Sequence, residues 1–180
     1  MKNILGKYFE DLKKVYMSVF NTSPTISYSE DLNKELFIST VDENGEIEWE
    51  PSLIKNSLNF DKLEKVFNLK FSNELKEYYS TFSFFYITGN YKNIYLWLFP
   101  LNDKNNLEQN IREHFSDGKY YFKDKEVFVL GGASIDNVDG LYICYDNKNN
   151  NIFCYDSEED KTIDLSINLR KFLNEIEASI

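Results

Sequence analysis

Acidic side chains gather beside aromatic ones at three places in this chain, and that pairing is the chemistry of cation recognition. Glu46, Glu48 and Glu50 bracket Trp49; Glu74 and Glu77 lead into Tyr78 and Tyr79; Asp156, Glu158, Glu159 and Asp160 form a third run. Tyr and Trp are over-represented at interface hot spots, and carboxylates beside them select cationic partners. The bland alternative is that the rings are core and the acids merely solvated. For Trp49 the two readings separate cleanly. Truncating a surface anchor costs affinity, whereas truncating a core ring costs stability. The three clusters are expected to line one concave face of a sheet.

Catalytic constellations are scarce. There is no Gly-x-Gly-x-x-Gly or Gly-x-x-x-x-Gly-Lys run to cradle a phosphate, and no Gly-x-Ser-x-Gly elbow. Gly131-Gly132-Ala133-Ser134 reads as a plain turn. His114, the one histidine, sits between Glu113 and Phe115 near the end of a polar helix, where a solvated imidazole is expected. Carboxylates abound, yet no spacing separates a raised acid from an ionised base. Two cysteines and one histidine cannot build a Cys/His zinc site without carboxylate help. The expectation is therefore a protein that is not an enzyme and has no cofactor or metal.

The charge balance narrows the partners. With 20 basic and 30 acidic side chains the formal net charge is -10, which repels phosphate backbones and anionic lipid heads. A basic protein partner is the natural complement, the bland alternative being that the excess acid only keeps the protein soluble, and neither nucleic acid nor direct lipid insertion is expected. The most apolar run, residues 94–99, is far short of the roughly 20 residues a bilayer needs, and charges interrupt the N-terminal segment before any signal core forms. A cytoplasmic location is the default, and Cys144 and Cys154 read as two buried thiols rather than a disulfide.

The elements that must position these groups follow from periodicity. Leu5, Phe9, Leu12, Tyr16, Val19 and Phe20 recur at helical spacing, and the segment before Pro24 ends that helix. Residues 36–41 read as a strand, residues 42–45 as a turn with Gly45, and residues 46–50 as a second strand completing a hairpin. A capping-box spacing from Asp61 to Glu64 opens one helix and Ser72 opens another. Residues 84–87 and 94–98 read as strands around a Thr88-Gly89-Asn90 turn. Asn105 caps a helix that ends at Ser116-Asp117-Gly118. Residues 127–130 form a strand ended by Gly131-Gly132. Residues 141–145 and 152–155 form a hairpin, residues 156–160 an acidic turn, and Leu169, Phe172, Leu173 and Ile176 a closing helix. Most strands are joined by turns rather than helices. This implies an α+β fold with a mainly antiparallel sheet, helices packed against it and at both chain ends, and residues 1–180 forming a single domain.

The run Leu36-Phe37-Ile38-Ser39-Thr40, the acids after it and Trp49-Glu50-Pro51 resemble the early segment of the Syd family, within the SUKH superfamily. Leu63-Glu64-Lys65-Val66-Phe67 is similar to the family's Val-Glu-x-Ala-Phe-like element, and Tyr78-Tyr79-Ser80-Thr81 to its Tyr-Tyr-Thr-Thr element. Val127-Phe128-Val129 before a strand pair and the closing Asn168-Leu169 and Phe172-Leu173 complete the order. The resemblance implies an α+β, SUKH-like fold and a protein-binding role. Two partners follow from it: a toxin neutralised by an immunity protein, or the basic cytoplasmic loops of SecY. Asn90, where an acid often follows the glycine, and the more aromatic stretch of residues 83–91 favour the immunity reading.

Overall fold

The computed structural model describes residues 1–55, 58–101, 107–136 and 138–180. The N-terminal apolar spacing forms helix α1, Lys2–Val19, which buries Leu5, Tyr8, Phe9 and Leu12. Strand β1 (Thr25–Ser27), a 3-10 turn (Lys34–Leu36), β2 (Glu46–Glu48) and β3 (Ser52–Leu53) follow. Helices α2 (Phe60–Phe67) and α3 (Asn73–Tyr78) lead to β4 (Phe82–Ser83), β5 (Ile87–Tyr91) and β6 (Ile94–Leu98). Helix α4 (Leu107–Tyr121) precedes strands β7 (Val127–Ile135), β8 (Val138–Asp146), β9 (Asn151–Asp156) and β10 (Lys161–Ile167). Helix α5 (Leu169–Glu175) and β11 (Glu177–Ala178) close the chain.

The centre is a seven-stranded antiparallel sheet in the order β10-β9-β8-β7-β6-β5-β11, with two-stranded sheets β1-β2 and β3-β4 beside it. This is the expected α+β mix. One face of the large sheet packs on the helices. Ile87, Leu96, Leu130, Ile143 and Ile152 share a core there with Leu5 and Phe9 of α1, Leu75 and Tyr78 of α3, and Leu169 and Phe172 of α5. The other face has a smaller cluster, Val127, Val129, Cys144, Phe153 and Tyr155, under Phe99, Tyr121 and Phe122.

Several local expectations give way to longer-range pairing. Residues 36–41 are not a regular strand: β2 takes β1 as its partner, with Thr25 opposite Glu48 and Ser27 opposite Glu46. The 36–41 segment touches β2 and its extension through a single Phe37–Trp49 bridge and flanking hydrogen bonds. Thr88-Gly89-Asn90 is strand rather than turn. Ile87, Gly89 and Tyr91 alternate inward, and the chain reverses at Lys92, whose φ of 56° is left-handed. A Cβ on Gly89 would lie 2.3 Å from the Glu177 carbonyl oxygen, so glycine is there to let β11 approach.

Helix α2 is capped by Asn59, which accepts from the Lys62 amide at 3.0 Å, and not by Asp61. Glu64, released from that box, is buried instead. Helix α4 runs through Gly118 to Tyr121, because a bare Cα there allows the Val127 carbonyl oxygen to within 1.9 Å of where a Cβ would sit. The Asn105 cap lies outside the described residues. Strand β7 continues through Gly131-Gly132 to Ile135, and β10 and β11 were not anticipated from periodicity. The hairpin turn after Asp146 and the acidic turn after Asp156 form as expected.

Candidate functional site

The three acidic clusters rest on three different supports, and only the third belongs to the seven-stranded sheet. In the first, Ile47 and Trp49 turn inward, so Glu46, Glu48 and Glu50 turn outward. Glu46 Oε1 accepts from Ser27 Oγ at 2.6 Å, Glu48 Oε2 from the Ser23 amide at 2.9 Å, and Glu50 Oε1 from Lys13 Nζ at 2.5 Å. In the second, Glu74 accepts from the Leu169 amide at the start of α5, while Glu77 pairs with Arg170 and the N-terminal ammonium. In the third, Asp156 accepts from the Glu158 and Glu159 amides, Glu159 pairs with Lys161, and Asp160 accepts from Tyr155 Oη at 2.9 Å. Many of these carboxylates thus hold the fold's own turns and termini.

Trp49 and Tyr78 are corrections. Both are 0% exposed. Trp49 packs edge-on against Phe9, Phe85 and Tyr86, and Tyr78 packs against Tyr79 and Phe84. Neither ring has surface to offer a partner. Period two on β2 sends the tryptophan to the side opposite the glutamates, where the larger apolar area is buried.

His114 is also a correction. It is buried rather than solvated, with Tyr79 Oη 2.8 Å from Nδ1 and the Phe99 ring at 5.8 Å. Burial pushes its pKa down to about 4, so it is neutral at physiological pH. Burial likewise pushes Tyr79 well above the usual phenol range. Glu64 moves the other way. Hydrogen bonds from Lys70 and Lys76, with the Phe71 amide at 3.1 Å, hold its carboxyl down to about 2. Cys144 and Cys154 lie on opposite faces of the sheet, since Cys144 pairs with Phe153 and Cys154 with Ile143. Burial raises both thiols, Cys154 to about 12, and both are free. Among the described residues no group of three His, Cys, Asp or Glu is arranged to hold a metal ion.

What sequence reasoning missed is the outer face of the large sheet. Thr88, Trp97, Gly132, Tyr142, Tyr155 and Thr162 stand on one rung across six strands, and Asn90, Tyr95 and Ser134 on the next. Helix α4 reaches over one end only: Tyr121 meets Tyr142 and Tyr155, and Phe122 meets Phe153 and Tyr155. Trp97 stays 37% exposed, with Tyr95 beside it at 6.4 Å between rings. Gly132 makes this possible: a Cβ there would lie 2.3 Å from the Trp97 ring, so the indole lies over the glycine. Among the described strand positions on this face there is no lysine or arginine, while Asp146, Asp164 and Glu177 are acidic. Alternation in residues 94–98 was the available signal, since it opposes Tyr95 and Trp97 to Ile94, Leu96 and Leu98.

At the β5–β6 side the outer face opens into a recess of about 380 Å³ whose lining includes Tyr16, Ser27, Glu46, Tyr86, Thr88 and Tyr95. So β1-β2 brings Glu46 of the first acidic cluster into one recess with Tyr95 of the sheet. Tyr16 Oη and Tyr86 Oη are 2.8 Å apart, and Tyr86 Oη donates to the Thr25 carbonyl at 2.8 Å, which locks the wall of the recess.

No helix among the described residues is long and apolar enough to cross a membrane. A search of the curated proteins finds no match. Comparison with known protein families matches residues 2–178 to the family described as Syd protein (SUKH-2), nearly the whole 180-residue chain. That match agrees with the sheet and helix arrangement and supports a protein-binding role. The chain belongs to the Syd protein (SUKH-2) family.

Proposed function

We propose that this protein is a cytoplasmic, non-enzymatic immunity protein that binds a cognate bacterial toxin through a basic surface of the toxin and so blocks it. The observation that carries the reading is the outer sheet face, which joins the exposed Trp97 and the half-buried Tyr95 to acidic residues and whose described strand positions hold no lysine or arginine. Such a face attracts a cationic protein and repels nucleic acid and anionic lipid. Syd-family membership supports protein binding as the mode of action. The Syd resemblance also carries a second reading, in which the basic partner is the cytoplasmic loops of SecY.

The test is a low-salt pull-down from the native cytoplasm with mass spectrometry, followed by co-expression with the toxin domain encoded beside the gene. Retention of that domain and restored growth are expected. Retention of SecY with no protection from the toxin would replace the immunity reading by the second one.

A further inference from the structure

We infer that the recess at the β5–β6 side of the outer sheet face receives an arginine or lysine side chain of the protein partner, with Glu46 as its counter-ion and Tyr95 as its aromatic wall. The inference rests on the protein-binding reading and names its point of contact. Glu46 is half-buried, and its described contact is the Ser27 hydroxyl on Oε1. Among the described residues no lysine or arginine pairs with it, in contrast to Glu50 with Lys13, Glu77 with Arg170 and Glu159 with Lys161. A carboxylate held at the mouth of a recess without a cation of its own is a site for a cation from outside.

The walls fit the same occupant. Tyr95 lines the recess and Trp97 adjoins Tyr95, so an entering guanidinium or ammonium can rest on an aromatic face while its N–H groups reach Glu46. The phenol hydroxyls of Tyr16 and Tyr86 are already engaged with each other and with the Thr25 carbonyl. The recess is therefore formed before the partner arrives, which lowers the ordering cost of binding. Its volume of about 380 Å³ lies near the small end of ligand pockets, a scale of roughly 300–1,000 Å³. That suits one long side chain better than a cofactor. The absence of outward lysine or arginine on the described strands means that nothing on the sheet competes for the position.

The test titrates the intact protein at low salt with an acetylated hexapeptide alternating glycine and arginine, and with the same peptide carrying uncharged citrulline at each arginine. Amide chemical shifts and Trp97 fluorescence are followed, Trp49 being fully buried. Saturable binding of the arginine peptide with shifts at Tyr95 and Trp97 is expected. Glu46→Gln and Tyr95→Ala should each weaken it roughly threefold to thirtyfold, the range a cation–aromatic or charge contact spans. Glu46→Gln can keep the Ser27 hydrogen bond, so melting temperatures check that the fold survives. Equal binding of the citrulline peptide, no saturable binding of either, or wild-type affinity in Glu46→Gln and Tyr95→Ala at unchanged melting temperature would overturn the inference. Full protection from the toxin by those same variants would overturn the recess and leave the immunity reading standing.

Discussion

Mild acidification, from pH 6.5 downward, should destabilise this protein first through His114. His114 is buried against Tyr79 and Phe99, and its pKa is held down to about 4 from the ordinary imidazole value of 6.5. Above pH 6.5 the ring is neutral in folded and unfolded chains alike, and the native state carries no penalty. Below 6.5 the unfolded chain takes up a proton that the folded chain refuses, so stability falls as pH drops toward 4. Each pH unit of that window is worth about 1.4 kcal/mol, and the whole window about 3 kcal/mol, a large share of a typical 5–15 kcal/mol. The assay is urea unfolding from pH 7.5 to 4 for the wild type and His114→Gln, whose amide can still accept from Tyr79. Surface carboxylates titrate in both proteins and cancel in the difference. The gap between the two curves should change by about 3 kcal/mol across the window, in favour of the variant at low pH. The protein has one histidine, so its ring resonances give an independent readout. A constant gap, or a ring titration midpoint near 6.5, would refute the reasoning.

Other outcomes follow from packing. Trp49→Ala should lower stability by about 3 to 5 kcal/mol in a melting curve, because the ring is fully enclosed, with little direct effect on partner affinity. Gly118→Ala should cost about 3 kcal/mol, since its new methyl meets the Val127 carbonyl, whereas alanine at Gly6, with open space around it, should be neutral or stabilising by melting temperature. Glu64→Gln, which weakens contacts from Lys70, Lys76 and the Phe71 amide, should cost about 1 to 3 kcal/mol in urea. Cys144 and Cys154 should stay unlinked under mild oxidant and resist thiol reagents until the chain unfolds. Fast labelling of the native protein would contradict their burial.

The elements that sequence reasoning placed well are those whose signals are local. Apolar spacing identified α1, the side chain of Ser72 caps α3 at the Leu75 amide, and the Asn- and Asp-rich turns of the last third reverse the chain where expected. The elements it misplaced depend on a distant partner. Gly89 and Gly132 read as turn residues, yet each is a close approach to a strand or an indole far along the chain. Strand β10 is mostly exposed and polar, and its pairing with β9 is visible only once β9 is in place.

The site divides along the same line. Composition by itself determined the excess of acid over base, because net charge is a sum over side chains and needs no geometry. Alternation alone also set Glu46, Glu48 and Glu50 on the side of β2 opposite Trp49. Which of those acids meets aromatic surface was decided by tertiary structure: β1-β2 carries Glu46 to Thr88 and Tyr95 on β5 and β6, which lie far along the chain from it. Burial is likewise a property of the assembled layers. A helix sequence such as Glu113-His114-Phe115 is equally compatible with solvent and with core, and only the packing of α4 beside Tyr79 and Phe99 makes its histidine neutral.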